Sequence, residues 1–214
     1  MSSVPSRAAT YYFEQLLTHA ERTASEGNYA IAAALAITGK RTEVVVIGVN
    51  TLFSDHDPCG HAEINALRRT RRLARDVAPL GSGSARLRED AKDTIMLRPA
   101  TGPPGELRLY SSLEPCPMCT VALINAGVHE VIVANEDTQA GALAAPRAER
   151  MPQAWRDLIA EIDVRWTQTD DPTVAETFLP GSLADRLTEI FERSRGPLDE
   201  RIRSGVLDVG PLVA

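Results

Sequence analysis

The sequence predicts a three-layer α/β/α domain, with helices packed on both faces of a mixed β-sheet. Helical patterns alternate with short apolar segments along the chain, and two neighbouring apolar segments form a hairpin pattern near its start. The chain has 214 residues, which is enough for one medium domain with a sizeable core. Hydrophobic residues make up 43% of the chain and charged residues 24%, the usual balance of a soluble globular protein.

The first predicted elements are a helix and a hairpin. Phe13 and Leu16 belong to an apolar set at helical spacing, and the glycine of "EGN" follows it, so residues 8–26 are predicted to form a helix. The apolar segments 30–37 and 43–49 flank the turn sequence "TGKR". This arrangement predicts a hairpin of two buried strands.

The middle of the chain is predicted to hold a helix, an exposed excursion and two strands. The helix begins near His61 and continues through Ala74. Residues 78–93, "APLGSGSARLREDAKD", are rich in glycine, serine and charge, which indicates an exposed segment. Strand-like segments follow at 94–98 and 106–113, separated by the breaker "PATGPPG".

The last predicted elements are a helix, a strand and a terminal helix. Residues 119–127 form a helical pattern that ends at a glycine, and the apolar segment 130–135 predicts a buried strand. Ser182 can cap a final helix, predicted over residues 183–195. The apolar residues that share one face of this helix are Leu183, Leu187, Ile190 and Phe191.

Charge and cysteine content exclude several classes of protein. The net charge of −6 argues against a dedicated nucleic-acid binder, which usually carries a basic face. No apolar segment approaches the 18 or so residues of a membrane span, and "MSSVPSRAAT" lacks the pattern of a secretory signal. Three cysteines cannot form a disulfide framework, and two of them lie in a C-x-x-C motif. We therefore expect a cytoplasmic protein whose cysteines bind a metal or take part in redox chemistry.

Two short motifs, "HDPCGHAEINAL" at 56–67 and "EPCPMC" at 114–119, carry the candidate metal chemistry. Cys116 and Cys119 are three residues apart, so both sulfurs point the same way in the first turn of a helix, where the helix dipole favours thiolates. His61, at the start of another helix, can add an imidazole. Two thiolates and one imidazole make a tetrahedral zinc site with one position open to water. Glu63 can then move the protons of that water.

The combination H-A-E…P-C-x-x-C resembles the signature of zinc deaminases. The chain is similar to the cytidine-deaminase-like superfamily, in the branch of guanine deaminases, yeast-type cytosine deaminases and tRNA adenosine deaminases. The similarity runs from about residue 8 to 143 and includes "GVN", "DPCGHAEINAL", "SLEPCPMC" and "NEDTQAGA". It implies a five-stranded mixed sheet with helices on both faces, usually in a homodimer.

The resemblance also implies the roles of the site residues. His61, Cys116 and Cys119 would bind Zn²⁺, and Glu63 would be the catalytic proton shuttle. The reaction would be hydroxide attack on an amidine-like ring carbon, with release of ammonia. The residues implied to line the substrate pocket are Asn50, Ala62 through its backbone N–H, and Asp137.

We expect one zinc deaminase domain over residues 1–214, with an insertion at about 78–105 and a C-terminal helical extension at about 150–214. The insertion is expected to pack beside the active site as a lid or a dimer contact. The expected substrate is a free nucleobase, nucleoside or related small heterocyclic amine, with guanine first and cytosine or cytidine next. The alternatives are a tRNA adenosine deaminase and, in another class, a non-catalytic zinc-binding interaction module.

Several residues have simpler interpretations that the sequence leaves open. Cys59 or His56 would be the fourth ligand of a purely structural zinc site. Asn50 would only hold a turn, and Asp137 would only cap a following helix. The arginines at 68–75, with Arg86 and Arg88, form either a phosphate-binding patch or an ordinary solvated helix face.

Overall fold

The computed structural model describes residues 6–77, 95–100, 103–143, 152–160, 163–166 and 181–203. Its helices and strands are, in chain order, α1 (Ser6–Ser25), β1 (Ala32–Thr38), β2 (Thr42–Val49), α2 (Ala62–Val77), β3 (Ile95–Pro99), β4 (Leu107–Ser111), α3 (Pro117–Asn125), β5 (Glu130–Val133), α4 (Gln153–Ile159), β6 (Asp163–Trp166) and α5 (Gly181–Arg203). None of these helices is long and apolar enough to cross a membrane.

The strands form one mixed sheet in the order β3-β2-β1-β4-β5-β6. The pairs among β3, β2, β1 and β4 are antiparallel, whereas β4–β5 and β5–β6 are parallel. The expected fold class is confirmed, and a sixth strand, β6, joins the five that were expected. The sequence "DVRW" of β6 has two charged residues in four positions, so it shows no apolar segment. Because β6 lies in the expected helical extension at 150–214, that extension is not wholly helical.

The sheet is buried on both faces, which explains the unbroken apolar sequence of its central strand. Ala32, Ala34 and Ala36 of β1 belong to a core that includes α1 and α5. The alternating residues Ala33 and Leu35 belong to a second core that includes α2 and α3. Alternate side chains of a strand point to opposite faces, so β1 has to be apolar throughout.

Helices α1 and α5 form the layer on the first face and contact each other. Phe13 and Leu16 of α1 are fully buried, as the helical spacing predicts. On α5 the predicted apolar face is also buried, with Leu187 at 1% exposure. The helix continues past the predicted end at 195 to Arg203, and Pro197 lies within it.

Gly48 sets how closely α2 approaches the sheet. A Cβ atom at this position of β2 would lie 2.0 Å from the carbonyl oxygen of Ala62 and 2.4 Å from the backbone nitrogen of Ala66. Only a residue without a side chain permits this contact between two backbones. The contact fixes the N-terminal turn of α2, which carries Glu63 and directly follows His61, against the end of β2.

Part of the expected insertion belongs to the sheet. β3 is an edge strand that pairs with β2 from Thr42↔Pro99 to Val46↔Ile95. The rest of the segment at 78–105, apart from residues 100 and 103–105, lies outside the described residues. The expectation that it forms a lid or dimer contact stays a prediction.

Candidate active site

The N-terminal ends of α2 and α3 meet and form the base of the candidate site. Cys116 is the N-cap residue of α3, in an extended conformation, and Pro117 occupies the first helical turn. Proline is favoured there because its fixed φ suits a helix and its missing N–H has no acceptor in any case. Cys119 lies in the same turn and is fully buried. His61 comes directly before α2. Two short sequence motifs, each at the start of a helix, therefore position all three side chains.

The structure brings His61, Cys116 and Cys119 together as a potential metal site. One ligand atom from each lies within 4.8 Å of the others. The Cys116 Sγ and His61 Nδ1 atoms are 3.6 Å apart. Ligand atoms around a tetrahedral zinc lie about 3.5–3.8 Å apart, given Zn–S and Zn–N bonds of about 2.3 and 2.0 Å. The donor set and its spacing therefore fit zinc with three protein ligands.

The protonation of the two thiols is strongly asymmetric. A hydrogen bond from Cys119, followed by one from His61, lowers the pKa of the Cys116 thiol to about 4. The pKa of Cys119 is raised because its thiol donates that bond and is buried. The contact with Cys116 also raises the pKa of His61. Cys116 is thus in the thiolate form that a metal requires, and the remaining proton leaves when a metal binds.

Glu63 lies beside this cluster without belonging to it. Its side chain is buried, with 4% of the residue exposed. Burial, and then the negative charge of Cys116, raise the pKa of Glu63 to about 7. A carboxyl group with this pKa can both take up and release a proton near neutral pH, as general acid–base catalysis requires.

A cavity of about 280 Å³ is lined by Glu63 and by two residues of the cluster, His61 and Cys116. The substrate-binding candidates Asn50, Ala62 and Asp137 all line it. Asn50 is 1% exposed, and its Oδ1 accepts a hydrogen bond from the Leu52 backbone N–H, so it both holds a turn and faces the cavity. Ala62 is the first residue of α2, where a backbone N–H has no acceptor within the helix.

Asp137 organises a turn in the cavity wall. Its Oδ1 accepts hydrogen bonds from the backbone N–H groups of Gln139 and Ala140. Residues 144–151, the next part of the chain, lie outside the described residues, so the interpretation of Asp137 as a helix cap stays a prediction. The hydrogen bonds show that it shapes the turn that also contributes Gln139 and Ala140 to the cavity.

Glu114 is a residue of the site that sequence reasoning missed. Its carboxylate is buried and accepts hydrogen bonds from the backbone N–H groups of Asp137, at 3.1 Å, and Leu143, at 2.8 Å. A Cβ atom on Gly141 would lie 2.2 Å from this carboxylate. Glu114 thus ties the segment 137–143 to the start of α3. The available signal was its position directly before the "PCPMC" motif.

The candidates for a fourth protein ligand do not join the cluster. Among the described residues it contains only the imidazole and the two thiols. His56 is exposed and has a φ of 50° in the preceding loop. Cys59 is half-buried, and its backbone N–H bonds to Asp57. A closed structural zinc site therefore has no support from the described residues.

The arginines that follow the HAE motif are partly engaged in local contacts. Arg68 forms an ion pair with Asp57. Arg69 donates to the carbonyl oxygen of Ile47, which draws its guanidinium against β2. Arg71 and Arg72 are exposed. Arg86 and Arg88 lie outside the described residues, as does any patch that would include them.

The terminal helix supplies cavity residues that the sequence did not predict. Phe191, Arg195 and Asp199 of α5 line the cavity, together with Tyr29. The predicted apolar face of α5 includes Phe191 but neither of the charged residues. Tyr29 lies in the loop between α1 and β1, so α5 and this loop line the cavity together with the starts of α2 and α3.

The model of the cytidine and deoxycytidylate deaminase zinc-binding region matches residues 6–135, which include His61, Glu63, Cys116 and Cys119. The chain belongs to this deaminase family. Its cofactor is zinc, in agreement with the donor set of the cluster. As a member of the family it is a zinc hydrolase that acts on C–N bonds.

Solved structures of other proteins share the fold of this deaminase. One comes from a study of A-to-I editing by tRNA:A34 deaminases at the wobble position of transfer RNA; it has a TM-score of 0.51 and 20% identity, with 85% of this chain and 99% of that chain covered. NE0047 in complex with 2,6-diaminopurine has a TM-score of 0.52 and 20% identity, with coverages of 91% and 83%. A variant of NE0047 in complex with 8-azaguanine has a TM-score of 0.52 and 19% identity, with coverages of 90% and 85%. At these identities the likeness shows the fold alone.

Proposed function

We propose that this chain is a hydrolytic deaminase of a free nucleobase, nucleoside or related small heterocyclic amine, with guanine as the leading candidate and cytosine or cytidine next. The observation that carries the proposal is that the buried Glu63 lines one small cavity together with His61 and Cys116, two of the three potential zinc ligands. Its volume of about 280 Å³ is at the lower end for ligand pockets, which suits a single heterocycle.

The three cluster residues would hold the zinc, with His61 binding through Nδ1. When bound, zinc supplies Lewis acidity and lowers the pKa of a water molecule in its open coordination position to about 7. Glu63 would accept a proton from a water molecule and donate it to a ring nitrogen of the substrate. With the water oxygen added to the ring carbon, Glu63 would carry the second proton of the water to the amino group, which would leave as ammonia.

Three residues are proposed to orient the ring. Asn50 offers its Nδ2 group, which has no acceptor among the described residues, while the bond from the Leu52 N–H to its Oδ1 holds the amide in place. The Ala62 N–H points out of the first turn of α2 and supplies a second donor. Asp137 is 8% exposed and holds the turn that brings Gln139 and Ala140 into the cavity wall.

Transfer RNA is the second candidate substrate, because the fold is shared with structures from a study of tRNA:A34 deaminases. The net charge of −6 and the local engagement of Arg68 and Arg69 favour the small molecule. A non-catalytic zinc-binding module would have no use for a buried carboxyl group at an open metal position.

The proposal includes a cytoplasmic homodimer, for which sedimentation should give twice the chain mass of 23.2 kDa.

The test is an ammonia-release screen of the zinc-loaded protein against guanine, adenine, cytosine, their nucleosides, aminated pterins and a tRNA anticodon stem-loop. Glu63→Gln should keep one zinc per chain and lose at least about 10²–10⁴-fold in kcat, the usual contribution of a general acid–base group. Glu14→Gln, on the exposed side of α1, is the matched control and should retain full activity.

The outcomes separate the candidate functions. Ammonia released from the stem-loop alone would favour the tRNA deaminase. No release from any compound in the screen would favour the non-catalytic module. Full activity of Glu63→Gln would show that the proton shuttle is assigned to the wrong residue.

A further inference from the structure

One wall of the cavity is a stripe of side chains on α5. Phe191, Arg195 and Asp199 follow one another at intervals of four residues, so they lie on the same face of the helix. All three line the cavity, as do Glu63, His61 and Cys116. A substrate whose amino group lies at Glu63 therefore turns another of its edges toward this stripe.

Asp199 holds two neighbouring side chains in place. The hydroxyl group of Tyr29 donates to its Oδ1 at 2.7 Å, and the Nε of Arg195 donates to its Oδ2 at 3.1 Å. The Arg195 guanidinium also lies 5.3 Å from the centre of the Phe191 ring. The plane and direction of the guanidinium are thus fixed before any substrate binds, which reduces the entropy lost on binding.

The guanidinium keeps hydrogen-bond donors for a ligand. Its Nη1 lies 3.7 Å from a carboxylate oxygen of Glu192, and its Nη2 has no partner among the described residues. Only 14% of the Arg195 side chain is exposed. A planar guanidinium presents its free N–H groups side by side, so it binds two adjacent acceptors better than a single one.

The charges around Arg195 favour an uncharged ligand. Two carboxylates, Asp199 and Glu192, lie within ion-pair distance of this one guanidinium. Glu114 and Asp137 line the same cavity and add further acidic groups. A phosphate carrying nearly two negative charges would meet net repulsion here, whereas a carbonyl oxygen beside a ring nitrogen would not.

We propose that Arg195, held by Asp199, is a specificity-determining residue that donates hydrogen bonds to an uncharged acceptor edge of the substrate. A carbonyl oxygen next to a ring nitrogen, as at O6 and N7 of guanine, is the pattern that an arginine fork recognises. The inference rests on the proposed function and narrows it to neutral bases or nucleosides that carry such an edge, in preference to nucleotides and RNA.

The test measures binding without turnover. The dissociation constants of guanine and 2-aminopurine are measured calorimetrically for zinc-loaded Glu63→Gln protein, with and without Arg195→Gln. The two purines carry the same amino group, but 2-aminopurine lacks the oxygen at C6. Arg195→Gln should weaken the binding of guanine by roughly 10- to 100-fold and that of 2-aminopurine by less than about threefold. Arg193→Gln, exposed on the same helix, is the matched control and should change neither constant.

Arg195→Lys is a second variant that keeps the test valid if Arg195→Gln fails to fold. It keeps the charge but loses the planar fork, so it should recover only part of the affinity for guanine. Equal weakening of both purines, no weakening of either, or no binding of guanine to the parent protein would overturn the inference. Tighter binding of guanosine monophosphate than of guanosine, lost in Arg195→Gln, would also overturn it and make Arg195 a phosphate-binding residue.

The proposed function and this inference can fail separately. If the unmodified enzyme releases no ammonia in the screen, the proposed deaminase activity fails. The binding constants still decide whether Arg195 recognises an acceptor edge, because they are measured without catalysis.

Discussion

Replacing Gly48 with alanine should push α2 away from the sheet and so displace His61 and Glu63 at the start of this helix. The added Cβ would lie 2.0 Å from the Ala62 carbonyl oxygen, 2.4 Å from the Ala66 nitrogen and 3.0 Å from the Ala66 Cα. All three are backbone atoms, so no side chain can turn aside to make room. To reach an ordinary contact of about 3.5 Å, the strand and the helix must separate by more than about 1 Å.

The size of the effect follows from this overlap. Overpacking a well-filled interior costs about 1–3 kcal/mol, and a clash between two backbones belongs at the upper end. For a chain of this length, about 3 kcal/mol lowers Tm by roughly 6–12 °C. A shift of about 1 Å in a catalytic group can reduce turnover about 10²-fold, so the loss of kcat should exceed what partial unfolding explains.

The assay combines calorimetric Tm, zinc content and kcat for Gly48→Ala. Gly196→Ala is the matched control, because a Cβ there meets nothing within 4 Å and α5 should gain slightly in stability. An unchanged Tm and unchanged kcat in Gly48→Ala would refute the close packing of α2 on β2.

Two further predictions concern the metal and alkaline pH. Cys116→Ala should lose zinc and lower Tm, because metal binding is linked to folding; metal analysis that finds one zinc per chain would remove Cys116 from the ligand set. Burial raises the pKa of Tyr12 and of Tyr110 above the usual 10, and a hydrogen bond to Glu43 raises that of Tyr12 further. Above pH 10 the unfolded chain loses phenol protons that the folded chain keeps, so stability is full below pH 10 and falls by roughly 3 kcal/mol per pH unit above it. Urea unfolding at pH 9, 10 and 11 measures this fall, and a constant free energy of unfolding would contradict it.

The sequence predicted the parts of the site that depend on local spacing. Cys116 and Cys119 share one helical turn, and His61 precedes a helix by one residue, so short motifs define where each side chain points. The buried face of α1 was likewise predictable from its apolar periodicity, and the burial of β1 on both faces from its continuous apolar sequence. The structure brings the three potential ligands within 4.8 Å of one another, as those motifs implied.

The residues that the sequence did not predict depend on contacts between distant segments. Tyr29 and Asp199 are 170 positions apart and meet only because α5 packs against the segment before β1, where the Ala30 N–H donates to Ser194 Oγ. The role of Glu114 depends on where the chain returns at 137–143. No periodicity or motif within one segment carries this information, because the partner lies in another segment.

The zinc X-ray absorption spectrum of the purified enzyme tests directly whether the metal site is open. Coordination by His61, Cys116, Cys119 and one water molecule predicts two sulfur ligands at about 2.3 Å and two nitrogen or oxygen ligands at about 2.0–2.1 Å, one of them exchangeable with solvent. A third sulfur, which Cys59 would have to supply, would make the zinc site closed and structural and would contradict the enzymatic role.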